Sequence, residues 1–404
     1  MNLKTLSEEW QSFSEDHSKL YQFFYSIAFI VAVYTYFLKR FMTDATYIHL
    51  TIVSLLLSLA VFIWHIYLKR WSDEVLFAIT AILIFVVLMP HKFYMIYFLP
   101  DFSLLSFLLL SVSVDPKQSN LMRTIFYAKI FLAITVLLFY IMGKVPDVTL
   151  WRDSKQLVRH SYGFLHPNSL SMFMMSIMCD FSLMKKKALA VSELLWITLV
   201  SLLVYAITDS RTGLFTFIII LACSFFKKTL LTYEVSGKVV FRSILAIFLL
   251  GIMLSLLYQS DSPFFEFLNK IFTGRLDNAH AYIEKYGFRL LPRRVPFLYH
   301  EDGGRIFNEN FYVDSLLRQG LWVYILFPIM IGFQTVNKRF TLYHFILMLS
   351  TFLIASMEDY GASICMSSIL LFNYFSFPEE DEKLDDWPTV PRSKYQRHRA
   401  HHSV

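Results

Sequence analysis

Runs of about twenty apolar residues recur along this chain, and they constrain its fold more than any other feature. A helix of that length crosses the ~30 Å hydrocarbon core of a bilayer, where only helices and closed barrels satisfy their own backbone. The runs read as spans at 20–38, 46–68, 74–89, 93–114, 122–142, 165–184, 190–208, 212–226, 239–258, 311–333, 340–356 and 361–377. The expectation is an all-α integral membrane protein of about 12 transmembrane helices. Pro100-Asp101 interrupts the run at 93–114 and is expected to kink or divide it. Of the 404 residues 56% are hydrophobic and 18% aromatic, and the mean hydropathy is +0.50. Soluble domains hold only about 45–50% apolar residues.

Composition also excludes some classes. The net charge of +6 comes from basic residues in short clusters between the spans. Such clusters set membrane topology, so nucleic acid is not an expected partner. Cys179, Cys223 and Cys365 lie inside apolar runs without paired spacing, so neither a disulfide nor a metal site is expected. Residues 1–19 are polar and mixed in charge, and no small-residue cleavage site follows the first span. A cleavable signal peptide is therefore not expected.

Orientation follows from Lys69-Arg70, Lys185-Lys-Lys187, Lys227-Lys228 and Lys338-Arg339, which fall on one side together with both termini. That side is expected to be cytoplasmic, with Lys39-Arg40 as the exception. The chain then divides into a cytoplasmic segment 1–19, helices one to nine over 20–258, an external loop 259–310, helices ten to twelve over 311–377, and a cytoplasmic tail 378–404. The tail is acidic at first, then basic and His-rich, and reads as disordered.

The external side conflicts with the insertion rule. Arg152, Lys155, Arg159 and Arg211 lie in short external segments, and Arg275, Arg289, Arg293, Arg294 and Arg305 in the long loop. A long loop translocates whatever its charge, but short ones do not. An anionic ligand is the reason considered first, because guanidinium forks match phosphate oxygens in pairs.

Five constellations stand out, each with a structural alternative. Arg159-His-Ser-Tyr-Gly-Phe-Leu-His-Pro-Asn-Ser169 precedes span six, with Asn168 or Ser169 near the helix cap and His166 beside a helix N-terminus that favours anions. A plain loop–helix junction is the alternative. Thr208-Asp-Ser-Arg-Thr-Gly213 puts Asp209 and Arg211 near membrane depth, where charge is costly and usually functional; a mutual pair closing a turn is the alternative. In the long loop, Ser262-Pro263 is expected to start a phenylalanine-rich interfacial helix that packs as a lid, and Gly274 to separate it from a second helix, Arg275 to Tyr286. Glu309-Asn310-Phe-Tyr312 opens span ten: Glu309 reads as a general base, or as a residue favoured by the helix dipole with Asn308 or Asn310 capping. Glu358-Asp359 reads as a solvated turn, with pairing to external arginines as the alternative.

Gly163-Phe-Leu-His-Pro-Asn168, Asp209-Ser-Arg-Thr-Gly213, Gly274-Arg275-Leu276 and Glu309-Asn310-Phe-Tyr with Gly320 beyond follow one another on one side of the membrane. In order and sidedness they resemble the motifs of the O-antigen ligase and Wzy-type polysaccharide polymerase superfamily, over roughly residues 155–360. The resemblance implies a GT-C-like membrane fold with a long external helical loop that is catalytic. It implies a metal-independent glycosyltransferase of the bacterial inner membrane, without a cofactor. The substrate would be an undecaprenyl-diphosphate-linked oligosaccharide, with membrane lipid, a flippase and a chain-length regulator as further partners. Arg211 and Arg275 would hold the diphosphate first, Arg289 and Arg159 next, and Glu309 would lie by the acceptor hydroxyl. His166, Asn168, Asn310, Tyr312 and Glu358 complete the expected substrate-binding set. Ligases carry His where this chain has Glu309. That departure points to a polymerase building capsular or exopolysaccharide, with a ligase as the alternative. A lipid or solute transporter is the alternative of a different class. Transporters place ionisable groups near mid-membrane and often repeat their halves, whereas these motifs sit at one rim without a convincing internal repeat.

Overall fold

The computed structural model describes residues 3–38, 44–69, 75–76, 78–80, 82, 99–116, 118–152, 157–164, 166–291, 293, 295–299, 305–358 and 367–378. The chain forms two compact units, 1–132 and 133–404. The structure is mostly helical. Among the described residues five helices are long and apolar enough to cross a membrane: Ser18–Phe37, Thr46–Leu68, Leu121–Ile141, Val191–Thr208 and Gly237–Leu256. Shorter apolar helices cover Arg211–Phe225, Ile325–Thr335 and Leu342–Ala355. On Val191–Thr208 the side chains of Val191, Leu195, Trp196, Leu199, Leu202 and Leu203 all point out of the protein. A helix with its largest apolar groups on the outside is arranged for lipid rather than water.

In the first unit, helices Leu3–Leu38, Asp44–Lys69 and Leu99–Ser113 enclose a core of Phe62, Val75, Ala78, Leu105, Leu109 and Val112. Tyrosines pin these helices together. The Tyr21 hydroxyl lies 3.1 Å from His65 Nδ1 and donates to the Ser113 carbonyl, and Tyr25 donates to the Leu110 carbonyl at 3.0 Å. Interhelical hydrogen bonds of this kind hold helices together where lipid offers no hydrophobic driving force. Pro100 lies in the first described turn of its helix, and the residues before Leu99, on which a kink or division of the run depends, lie outside the described residues. Lys39-Arg40, the exception to the charge rule, lies outside the described residues, as do Arg70, most of span 74–89 and residues 93–98.

The boundary between the units falls within helix Leu121–Ile141, and the second unit carries the helices after it. A three-stranded antiparallel sheet joins Glu234–Ser236, Lys338–Thr341 and Phe377–Pro378. Nearby, the Lys227 ammonium donates to the carbonyls of Ser182 and Lys185 and sits 4.8 Å above the Tyr343 ring. It satisfies carbonyls that the end of helix Pro167–Met184 would otherwise leave open.

Two expected spans are corrected. Span 311–333 is broken at Gly320, whose φ is +83°, into Phe311–Gln319 and Leu321–Thr335. The first piece is polar enough to carry an Asp314–Arg318 pair with Arg318 Nε 2.7 Å from Asp314 Oδ1, so it does not continue the apolar helix that follows Gly320. A side chain at position 320 would place Cβ 2.4 Å from the Leu290 carbonyl oxygen. Gly320→Ala is therefore expected to lower stability by about 2–3 kcal/mol, read as a lower unfolding midpoint in detergent. An unchanged midpoint would contradict this backbone geometry.

The second correction concerns span 361–377. Residues 361–366 lie outside the described set, and beyond them the chain forms a 3₁₀ turn at Ser368–Leu370, a short helix at Phe372–Phe375 and the strand at Phe377. Ile369, Leu370, Leu371, Phe372 and Phe375 are buried inside the protein, so this run is apolar because it packs against other side chains. The expected tail beyond Pro378 lies outside the described residues.

The helix Pro263–Ile271 forms where expected, yet none of its residues is buried. Phe264, Phe267 and Ile271 are more than half exposed, while Phe265 meets the Tyr258 ring edge-on at 6.0 Å. Phe265 and Leu268 are half-buried, whereas Phe264, Phe267 and Ile271 form an outward face of the sort a helix presents to a bilayer surface.

Candidate functional site

Four separate segments of the second unit bring charged side chains to one place. The first is the loop after helix Leu121–Ile141. A short hairpin pairs Leu150 with Arg159, Trp151 with Val158 and Arg152 with Leu157. Asp147 gathers the turn that follows, accepting from the backbone N–H of Ser161 at 2.8 Å and of Tyr162 at 2.9 Å, with His160 Nδ1 beside its other oxygen. Tyr162 and Gly163 take positive φ values of 45° and 89°, which makes the turn tight. Burial raises the Asp147 pKa, but His160 and the two N–H donors outweigh it and hold the carboxyl below its ordinary value. The sign follows from that depression. The clamp contributes fully above the unfolded carboxylate value of about 4 and is lost as pH falls through the lower folded value. Hydrogen exchange at Ser161 and Tyr162 is expected to quicken in that acid window in wild type. Asp147→Asn is expected to remove the acid dependence.

The clamp turns Arg159 inward until it is 8% exposed. Its Nε donates to the Thr208 carbonyl at 2.6 Å, and an Nη donates to Asn168 Oδ1. Asn168 belongs to helix Pro167–Met184, whose cap is His166 rather than Asn168 or Ser169 as expected. His166 Nδ1 accepts from the Asn168 N–H at 3.0 Å and so carries no proton there. Freed from capping, the Asn168 amide passes its Nδ2 to Glu358 Oε1 at 3.1 Å.

Arg275 enters from the long loop. Thr273 and Gly274 both take positive φ, 55° and 85°, and reverse the chain just before helix Arg275–Tyr286. A β-branched residue in that region costs about 1–3 kcal/mol and is found where surrounding contacts impose it; here the Arg275 guanidinium donates to the Thr273 hydroxyl. Arg275, Leu276, Ala279, Tyr282 and Ile283 form the buried face of this helix. His280 Nδ1 lies 2.9 Å from the Ser255 carbonyl, fixing the helix to the end of Gly237–Leu256. Arg293 donates to the carbonyls of Tyr286 and Gly287 and closes the helix C-terminus.

Two carboxylates meet Arg275. Glu358 Oε1 accepts from an Nη at 2.9 Å, and Glu309 Oε2 lies 2.6 Å from Nε. Nε nevertheless makes no aligned hydrogen bond, so the Glu309 contact is one of charge. Glu358 is 1% exposed, so it is not the solvated turn residue that its short loop suggested. Asp359, expected beside it, lies outside the described residues. Glu309 is held by its neighbour. Asn310, 1% exposed, caps helix Phe311–Gln319 by accepting from Tyr312 and Val313 N–H and donates to the Gly251 carbonyl at 2.9 Å. Tyr312 is wholly buried against Gly251, with its hydroxyl on the Phe352 carbonyl.

The expected site residues thus sort by position. Arg159, Asn168, Glu358, Arg275 and Glu309 form one connected cluster in which two arginines face two carboxylates, with His166 at its edge. Asn310 and Tyr312 are structural supports rather than cleft-lining groups. Arg211 and Arg289 are exposed and outside the cluster; Arg289 serves the fold through its carbonyl, which accepts from Leu321 N–H at 2.9 Å. Arg211 opens its helix while Ser210 caps it, and Gly213 lets that helix approach Ser171 of the Pro167–Met184 helix. Lys155, Arg294 and Glu301–Gly304 lie outside the described residues. Asp147 and Thr273 were missed by sequence reasoning, although a Thr-Gly pair directly before an arginine is a usable signal for a reversed chain. Among the described residues no group of three His, Cys, Asp or Glu is placed to hold a metal ion.

What the fold and the site define together is a mostly helical protein with helices long and apolar enough to cross a membrane and a largely buried cluster of two arginines and two carboxylates in its second unit. No protein-family model, no curated protein and no solved structure matches the chain.

Proposed function

We propose that this protein is an inner-membrane glycosyltransferase that polymerises undecaprenyl-diphosphate-linked oligosaccharide repeats on the external face. The observation that carries this reading is the direct contact of Arg275 with Glu309, inside a cluster that also holds Glu358, Asn168 and Arg159. A transferase of this kind needs a cation for the leaving diphosphate and a base for the acceptor within one small volume. The acceptor hydroxyl gives its proton to Glu309, and its oxygen forms a new bond to the anomeric carbon. The bond from that carbon to the diphosphate oxygen breaks, and its electron pair leaves with the diphosphate, which Arg275 neutralises. Arg159, buried one asparagine away, keeps a second positive charge near the group. His166, whose Nδ1 accepts from the Asn168 N–H, stands at the edge of this group.

Product analysis in cells lacking this chain tests the reading. A polymerase leaves single lipid-linked repeats when lost. Long unattached chains would instead identify a ligase, and repeats trapped on the cytoplasmic side would identify a transporter.

A further inference from the structure

Each nitrogen of the Arg275 guanidinium has a partner. One Nη donates to Thr273, the other to Glu358, and Nε lies against Glu309. An incoming anion that takes the edge carrying Nε must displace a carboxylate, and the two carboxylates are not equally held. Glu358 is 1% exposed and takes a second hydrogen bond from Asn168, which Arg159 fixes in turn. Glu309 is 28% exposed, lies in the irregular stretch 307–310, and touches Arg275 without an aligned bond. Its helix is capped by Asn310, so the Glu309 side chain can swing away without loosening that helix. Glu309 is the partner that leaves.

We infer that the donor enters by exchange: a diphosphate takes the Arg275 face now held by Glu309, and the released carboxylate becomes available to the acceptor hydroxyl. This rests on the function proposed above and adds an order to it. With the site empty, Arg275 masks the base by holding it in an ion pair. With donor bound, the phosphate oxygens satisfy the guanidinium and the base is unmasked. The acceptor is therefore activated only when a sugar is present to receive it. Glu358 remains in place throughout and keeps Arg275 oriented.

Inorganic pyrophosphate is the probe, titrated calorimetrically into the purified full-length protein in detergent. Glu309→Gln removes the competing charge and is expected to tighten pyrophosphate binding about fivefold, the size of a partly exposed ion pair. Arg275→Ala is expected to weaken it at least tenfold, and Arg275→Lys to weaken it less. If Arg275 proves necessary while Glu309→Gln binds no more tightly than wild type, the exchange is wrong and the diphosphate reading of Arg275 survives. If Arg275→Ala and Arg275→Lys bind as wild type does, the site reading itself fails. Should Arg275→Ala not fold, the Glu309→Gln titration still decides the exchange. Absence of binding by both wild type and Glu309→Gln at millimolar pyrophosphate contradicts both ideas.

Discussion

Arg275→Ala is expected to abolish polymer formation and, separately, to lower the stability of the protein by about 3–5 kcal/mol. The stability loss follows from Glu358, which is 1% exposed and faces Arg275 at 2.9 Å. Without the guanidinium that buried carboxylate loses an ion partner, while the Asn168 amide stays among its partners. A buried ion missing its counter-ion is destabilising well beyond the small value of an exposed pair. The two effects can be separated. The double variant Arg275→Ala/Glu358→Gln removes both charges, so it is expected to recover most of the lost stability and none of the activity. Recovery of polymer along with stability would mean that Arg275 serves the fold alone.

Glu309→Gln carries the second large effect, in the opposite balance. Glu309 is partly exposed, its contact with Arg275 is one of charge, and its helix is capped independently by Asn310. Stability is expected to change by less than about 1 kcal/mol. Activity is expected to fall by a factor of about 10²–10⁴, the usual contribution of a positioned proton acceptor. A Glu309→Gln protein that melts normally and still makes full-length polymer would remove Glu309 from the chemistry. Glu309→Asp, which keeps the charge on a shorter arm, is expected to retain part of the activity.

Five helices long and apolar enough to cross a membrane were legible, because a bilayer dictates length and composition, and each lies close to the apolar run that announced it. Span 311–333 was not legible, since a hydropathy window weighs composition and cannot register one glycine with φ of +83°. Span 361–377 failed for another reason: a run packed inside the protein and a run facing lipid are equally apolar. The site was legible in part. Arg275 and Glu309 stood out as charges at the ends of helices, and the structure puts them in contact. The order among the arginines was not legible, because it depends on which way each side chain turns. The Asp147 clamp turns Arg159 inward, while Arg211 in the first turn of its helix faces out. Glu358 was hidden for the same reason, since a two-carboxylate turn looks solvated until the chain 83 residues away is seen to meet it.

The most direct measurement is polymerisation by the purified protein in liposomes, supplied with undecaprenyl-diphosphate-linked repeats and no ion or voltage gradient. The account predicts a ladder of lengthening products and release of undecaprenyl diphosphate, both lost in Glu309→Gln. Unchanged repeats in the presence of folded wild-type protein, or movement of the lipid across the bilayer without new glycosidic bonds, would contradict it.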